Sequence, residues 1–304
     1  MAIYPAHKTM AAIEAALKED QGAAYRQAQQ KILPTLTDAY RGEEDGFRSH
    51  LGASVIGKSC ARQIWYGYRA TKIPKFDGRM LRLFNRGHLE EGRFMALLEI
   101  IGVKVRLLDE NGKQVKYSAF EGHYGGSSDG FGTGFPDIPT DEEALIECKT
   151  HNEKSFLKLK KDGVQASKPE HYTQMCVYMD YFKLRCAFYF AINKNNDELW
   201  IEIITANPEH ARYYNERAGD IIVAKTPPNK ISKSPAFFEC SWCDFKALCH
   251  KQKNVEYGIH KGCRTCEHSQ PAAGGNWLCN KYNCELTKEN QVAGCSAHKL
   301  IEEI

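Results

Sequence analysis

Glu143-Ala-Leu-Ile-Glu-Cys-Lys-Thr150 is the stretch on which the reading of this chain turns. Its apolar run Ala144-Leu145-Ile146 marks a short buried strand. Residues two apart on a strand share a face, so Glu147 and Lys149 point the same way. Burying a carboxylate and an ammonium is costly unless each has a partner, so this pair needs a reason to be there. Upstream stands Gly126-Ser-Ser-Asp129, where glycine lets backbone approach a ligand closely and an acid follows at a strand end. Downstream, Gln174 and Tyr178 are four residues apart in a helix opened by Pro169, hence on one face.

Around that centre the periodicity alternates. Residues 8–42 read as two peripheral helices, 61–70 as a helix mixing arginines with aromatics, and 79–101 as a long amphipathic helix. The last has apolar positions at Met80, Leu81, Phe84, Phe94, Leu97 and Leu98. Residues 115–120 and 122–129 read as strands, 132–139 as a turn region, and 153–162 and 169–182 as helices. Strands at 186–192 and 198–204 are joined by the turn Asn195-Asn196-Asp197, and Asn207-Pro208-Glu209 opens a helix to about residue 225. The fold class expected is α/β, a central mixed sheet flanked by helices. Three regions are expected: N-terminal helices at 1–50, a main domain at 51–257, and a cysteine-rich tail at 258–304.

The chain has 304 residues, 42% hydrophobic and 26% charged, which is ordinary globular composition. A net charge of +3 is too small to argue for nucleic acid, so such a surface has to be a local patch. No stretch approaches 18 uncharged apolar residues, and the start lacks the layout of a signal peptide. A reducing cytoplasmic setting is therefore expected, without membrane contact. There, twelve cysteines point to metal rather than disulfides.

Cys240-x2-Cys243-x5-Cys249 supplies three closely spaced thiolates, and Cys60 is the candidate fourth. Four cysteines suit an iron–sulfur cluster or a tetrahedral Zn²⁺. Cys148, Cys176 and Cys186 lie in apolar contexts and read as core. In the tail, Cys263, Cys266, Cys279, Cys284, Cys295 and His298 share fewer than forty residues of low apolar content, so metal is expected to stabilise the segment. Mixed Cys/His spacing favours Zn²⁺, with Cys263 and Cys266 as a knuckle pair and two more ligands from Cys279, Cys295 and His298. Lys261, Arg264, Trp277 and Lys281 would suit stacking and phosphate contact. Arg62, Trp65, Tyr66, Arg69, Lys154 and Lys158 read either as the lining of a strand path or as a solvated helix face.

Hydrolysis of a phosphodiester needs convergent oxygens to hold Mg²⁺ or Mn²⁺ and a cation to position water or neutralise charge. Asp129, Glu147 and the Cys148 carbonyl supply the oxygens, and Lys149 the cation. With His88 in Arg86-Gly-His-Leu-Glu-Glu, the order Gly-x-x-Asp, Glu-x-Lys, Gln-x-x-x-Tyr resembles the RecB-like branch of the PD-(D/E)xK nucleases. That branch includes the nuclease domains of RecB and AddB, lambda-type exonucleases and CRISPR-associated iron–sulfur nucleases. The resemblance covers about residues 55–250 and implies a restriction-endonuclease-like core. It further implies metal ligation by His88, Asp129 and Glu147, a catalytic Lys149, and Gln174 and Tyr178 contacting the DNA strand and ordering the lysine. It also implies a [4Fe–4S] cluster on Cys60, Cys240, Cys243 and Cys249. Glu91, three residues from His88, is an accessory acid on the same face. The long segment 131–142 departs from the family pattern. The activity implied is a divalent-metal-dependent exonuclease acting on DNA ends or single strands in recombination, repair or phage DNA processing, with a recombination or annealing protein as partner. A structure-specific endonuclease and a catalytically weak DNA-binding adaptor are the alternatives.

Overall fold

The computed structural model describes residues 2–36, 48–253 and 258–304. The end of the expected N-terminal helix pair (37–42) and the boundary at 257 lie outside the described residues. Two units are each woven from separate stretches of chain. The first comprises Met1–Glu44, Phe76–Tyr117 and Ser127–Ala211; the second comprises Asp45–Lys75, Ser118–Gly126 and Arg212–Ile304. Among the described residues no helix is long and apolar enough to cross a membrane.

The first unit contains helices α1 (His7–Glu19), α2 (Ala23–Ile32) and α3 (Gly78–Glu99), then strands β1 (Lys104–Arg106), β2 (Gly130–Thr133) and β3 (Ala144–His151). Helices α4 (Glu153–Ser167) and α5 (Pro169–Phe182) and strands β4 (Cys186–Asn193) and β5 (Leu199–Thr205) follow. The five strands form one sheet in the order β1-β2-β3-β4-β5. Only β3 and β4 run parallel, with Glu147 opposite Tyr189 and Lys149 opposite Ala191. A parallel pair needs a crossover, and α4 with α5 provides it. Side-chain alternation along β3 sends Ala144, Ile146 and Cys148 into a core with Phe94, Leu98, Phe188 and Phe190, and Glu147 and Lys149 to the opposite face. Each large side chain buried there contributes about 1.5–3 kcal/mol. This is the mixed-sheet, helix-flanked α/β architecture expected of a PD-(D/E)xK core.

Local signals account for the helix starts. Asp77 accepts a hydrogen bond from the Met80 amide at the start of α3, Asn152 from Ser155 at the start of α4, and Pro169 is the first residue of α5. Two expectations are corrected. The turn region at 132–139 begins inside strand β2, whose Gly-Phe-Gly-Thr sequence has too little β propensity to announce itself. There Gly130 sits at φ +153°, and a Cβ on Gly132 would lie 2.7 Å from the Phe135 ring. Leu81 and Phe84, expected inward on α3, are 54% and 38% exposed; only the C-terminal half of that helix meets the core.

In the second unit the helix Ala61–Tyr68 is buried on most sides. Arg62 donates to the carbonyls of Pro228 and Glu303, each at 3.0 Å, and to the Tyr66 hydroxyl at 2.9 Å. Arg69 donates to Ser269 O and Ala224 O, while Arg264 reaches Arg48 O, Tyr68 O and Ser49 O. The Trp277 ring lies 5.0 Å from the Arg69 guanidinium and 4.8 Å from that of Arg264. Arg62, Trp65, Tyr66, Arg69, Arg264 and Trp277 are all buried, which removes them as lining or stacking residues for DNA. Their guanidiniums take carbonyl partners from segments distant in sequence, so burial leaves few donors unpaired.

Candidate active site and cysteine sites

Strand β3 presents Glu147 and Lys149 side by side, and the turn before β2 brings Asp129 to them. The Asp129 carboxylate accepts the Cys148 amide at 2.8 Å, which fixes its position on the strand. The Lys149 ammonium contacts Glu147 Oε1, stands 3.6 Å from Asp129 Oδ2, and donates to the Cys148 carbonyl at 3.0 Å. One cation thus lies among all three oxygens assigned to a divalent ion. Helix α5 anchors the cluster from behind. Gln174 donates to Glu147 Oε2 at 3.2 Å, and the Tyr178 hydroxyl donates to the Ser127 carbonyl, also at 3.2 Å. Gln174 and Tyr178 therefore hold the acid and the Asp129 turn rather than the lysine itself.

From α3, His88 Nδ1 and Glu91 Oε1 are 3.7 Å apart. These two residues border a cavity that also touches Ser128 and Asp129, and another of about 640 Å³ lined by Cys148, Lys149, His151, Lys168, His171 and Lys194. The sequence-assigned residues His88, Asp129, Glu147, Cys148, Lys149, Gln174 and Tyr178 are thus gathered at one place. Sequence reasoning missed His151, His171 and Tyr189. The Tyr189 hydroxyl meets His151 Nε2 at 2.9 Å and His171 Nδ1 at 2.7 Å. His171 lies three residues before Gln174 on the same helix face, a spacing that could have revealed it.

The electrostatics suit a cation site. Burial pushes the Glu147 carboxyl up to about 7 against the pull of Lys149, with the Asp129 charge adding to the rise. Burial alone would lower Lys149, but Glu147 and Asp129 together outweigh it and hold the ammonium protonated. Glu91 is raised by burial and then by Asp129. His171 falls to about 3, through burial and then Lys149; His151 falls to about 4, through burial and then Lys168. Both imidazoles are neutral at pH 7. Glu147 Oε1 accepts no hydrogen bond of acceptable geometry, only the ion pair with Lys149. A buried carboxylate oxygen in that condition, beside two further oxygens, fits a hard divalent ion.

Cys60, Cys240, Cys243 and Cys249 all line one small cavity, with Tyr66, Lys230, Lys246 and His250. Burial raises the Cys240, Cys243 and Cys249 thiols, and Cys60 raises each further. Burial holds these three thiols protonated until a metal cation replaces their protons, and with Cys60 in the same cavity the donor set fits a cluster or Zn²⁺. A second cavity is lined by Cys263, Cys266, Cys279, Cys295 and His298, joined by His268, which sequence reasoning did not name. The Cys266 sulfur accepts the Lys299 amide at 3.4 Å, and burial pushes the Cys263 thiol up to about 11. Cys284 is exposed and does not line this cavity. Among the described residues no three His, Cys, Asp or Glu side chains stand at metal-holding spacing. In the acid site the Lys149 ammonium lies between the carboxylates.

No protein-family model matches the chain, and no curated protein sequence matches it. Among solved structures it is similar to an alkaline exonuclease, LHK-Exo, from Laribacter hongkongensis. That likeness has 15% identity and a TM-score of 0.40 and covers 57% of this chain and 86% of the other. The same enzyme in complex with dAMP gives 15% identity and 0.41, over 64% and 90%. The protein SSO0001 gives 16% identity and 0.39, over 75% and 97%. Likenesses this distant assign neither activity nor substrate.

Proposed function

We propose that this chain is a divalent-metal-dependent deoxyribonuclease whose reacting centre is Asp129, Glu147 and Lys149. The observation that carries the reading is the single cation position formed by two carboxylates and the Cys148 carbonyl, filled by the Lys149 ammonium. Asp129, Glu147 and the Cys148 carbonyl would hold Mg²⁺ or Mn²⁺, with His88 as a further ligand. When bound, the ion supplies charge neutralisation at the phosphate and a more acidic attacking water. Lys149, moved off the carboxylates, directs its ammonium at the charge that develops on the phosphate. Gln174 keeps the Glu147 carboxylate aimed, and Tyr178 braces the turn that delivers Asp129. His151 and His171, neutral and joined through Tyr189, offer hydrogen bonds in the adjoining cavity without adding charge.

The motif order supports an exonuclease acting on DNA ends or single strands in preference to an endonuclease. It also supports a [4Fe–4S] cluster rather than Zn²⁺ on Cys60, Cys240, Cys243 and Cys249. The tail is assigned one Zn²⁺, on Cys263, Cys266 and two of Cys279, Cys295 and His298. A reducing cytoplasmic setting and a recombination or annealing partner complete the reading. The test is digestion of end-labelled single- and double-stranded DNA with Mg²⁺ or Mn²⁺, beside Asp129→Ala. Shortening from an end by the parent, abolished in the variant, is expected. Equal cleavage by both proteins overturns the assignment.

A further inference from the structure

The aromatic residues that the sequence offered for DNA contact are buried, yet the loop around Cys240 and Cys243 exposes others. Phe238 is 75% exposed and Trp242 is 80% exposed, while Trp65 and Trp277 are fully enclosed. Phe238 opens a single helical turn, Phe238–Ser241, and Trp242 follows it directly, so the two exposed rings stand four residues apart on one short loop. The turn is pinned by backbone bonds, Ser241 N to Phe237 O at 3.0 Å and Cys243 N to Cys240 O at 3.2 Å. The adjacent cysteines face inward to their cavity. The rings are therefore held out in water on a fixed backbone, and a ligand stacking on them would have little ordering cost to meet.

The charge around these rings is predominantly positive. Residues 226–253 carry five lysines against Glu239 and Asp244, an excess equal to the net +3 of the entire chain. Lys230 and Lys246 line the cysteine cavity with His250, and Lys233 lies beside His250 as well. Lys72 adds another ammonium by donating to the Asp244 carbonyl at 2.9 Å, two residues past Trp242. Exposed rings in a lysine-rich segment are unlike the core of a protein interface, where lysine is depleted. They match a strand whose bases stack on aromatics while its phosphates meet ammonium groups. A duplex keeps its base faces covered, so the complementary ligand is single-stranded.

We propose that Phe238 and Trp242, with Lys230, Lys233 and Lys246, form a stacking platform for single-stranded DNA in the second unit. The choice of DNA rests on the nuclease reading; the platform itself does not need the reaction. The test measures fluorescence anisotropy of a labelled oligothymidylate with the full-length protein as isolated. It is run on the Asp129→Ala background without added divalent metal or chelator, so that no cleavage occurs and the thiol-bound metal stays in place, beside an abasic strand of equal length. The parent binds oligothymidylate more tightly than the abasic strand. Trp242→Ala and Phe238→Ala each weaken oligothymidylate binding roughly tenfold and leave abasic binding unchanged. Trp242→Phe retains most of the affinity, which separates stacking from a folding defect. Lys233→Ala lowers the salt slope by about 0.7 for both strands. Equal affinity of the parent for the two strands overturns the proposal, as does unchanged oligothymidylate binding by Trp242→Ala. A change in oligomeric state without a change in DNA binding also overturns it and marks the patch as a protein contact. Failure of the nuclease reading is read separately, from hydrolysis of a small thymidine phosphodiester with Mn²⁺, which the platform variants leave untouched.

Discussion

In the first unit, Glu147, Lys149 and Asp129 are placed by hydrogen-bonded strands and braced by a helix, and each has a partner before any ion arrives. In the second, Cys60 caps a helix, Cys240 and Cys249 come from four-residue helices with Cys243 in the link between them, and the tail strands are three residues long. The acid site is thus carried by regular structure that packs a core of its own. The thiol sites lie where regular structure is shortest, so on the proposed reading a metal would have to hold them together. If both proposed metals are bound, they differ physically: one ion would react on a finished scaffold, and the other would finish the scaffold.

That contrast breaks first if the thiol metals prove dispensable. Cys243→Ser should lower metal content, destabilise the second unit by about 5 kcal/mol or more, and strip its amides of exchange protection. The sheet of the first unit should keep its protection. Full protection in both units would refute the distinction. Next in size, Asp129→Ala should cut cleavage roughly 100- to 1,000-fold and lower the thermal midpoint modestly, since the Cys148 amide loses its acceptor, while leaving the thiol-bound metal as it was. Loss of iron or zinc in that variant would tie the two situations together.

The pH dependence sharpens the comparison from the acid side. The folded Glu147 pKa, about 7, lies above its ordinary 4.5. Its stabilising contribution in the metal-free protein is full below 4.5 and is lost as pH rises through 7. Mn²⁺ binds only the carboxylate, so its stabilisation and the cleavage it supports should grow across that same interval. Thermal unfolding with and without Mn²⁺ from pH 5 to pH 8.5 reads this directly; a constant Mn²⁺ shift would contradict it. The smallest effect belongs to Gln174→Ala, which frees Glu147 Oε2 and should cost about tenfold in cleavage at limiting Mn²⁺, as expected for one hydrogen bond to a charged group. Recovery at high Mn²⁺ would mark Gln174 as a positioning residue, and no recovery would give it a larger part.

How much of this was legible depended on distance along the chain. The run 144–146, Pro169 and the turn at 195–197 announce β3, α5 and the β4–β5 hairpin through local chemistry, and the structure has all three. Strand β2 stayed hidden because its two glycines are set by close approach of Leu107 and Phe135, which local propensity does not encode. Arg62, Arg69 and Arg264 read as a basic surface because arginine is seldom buried. Their carbonyl partners lie more than 150 residues away in sequence for Pro228, Ala224 and Tyr68. His151, His171 and Tyr189 converge only through the crossover between β3 and β4. The acid–lysine pair was legible because two alternate positions of one strand carry it; the exposure of Phe238 and Trp242 was not, since only the folded loop reveals it.

Binding of Mn²⁺ at pH 8, followed by electron paramagnetic resonance on the parent and on Asp129→Ala, tests the centre of this account most directly. The parent should hold one Mn²⁺ that the variant loses, with the variant's thiol-bound metal unchanged. Identical Mn²⁺ titrations for both proteins would contradict the site, because the carboxylates would then hold only their lysine.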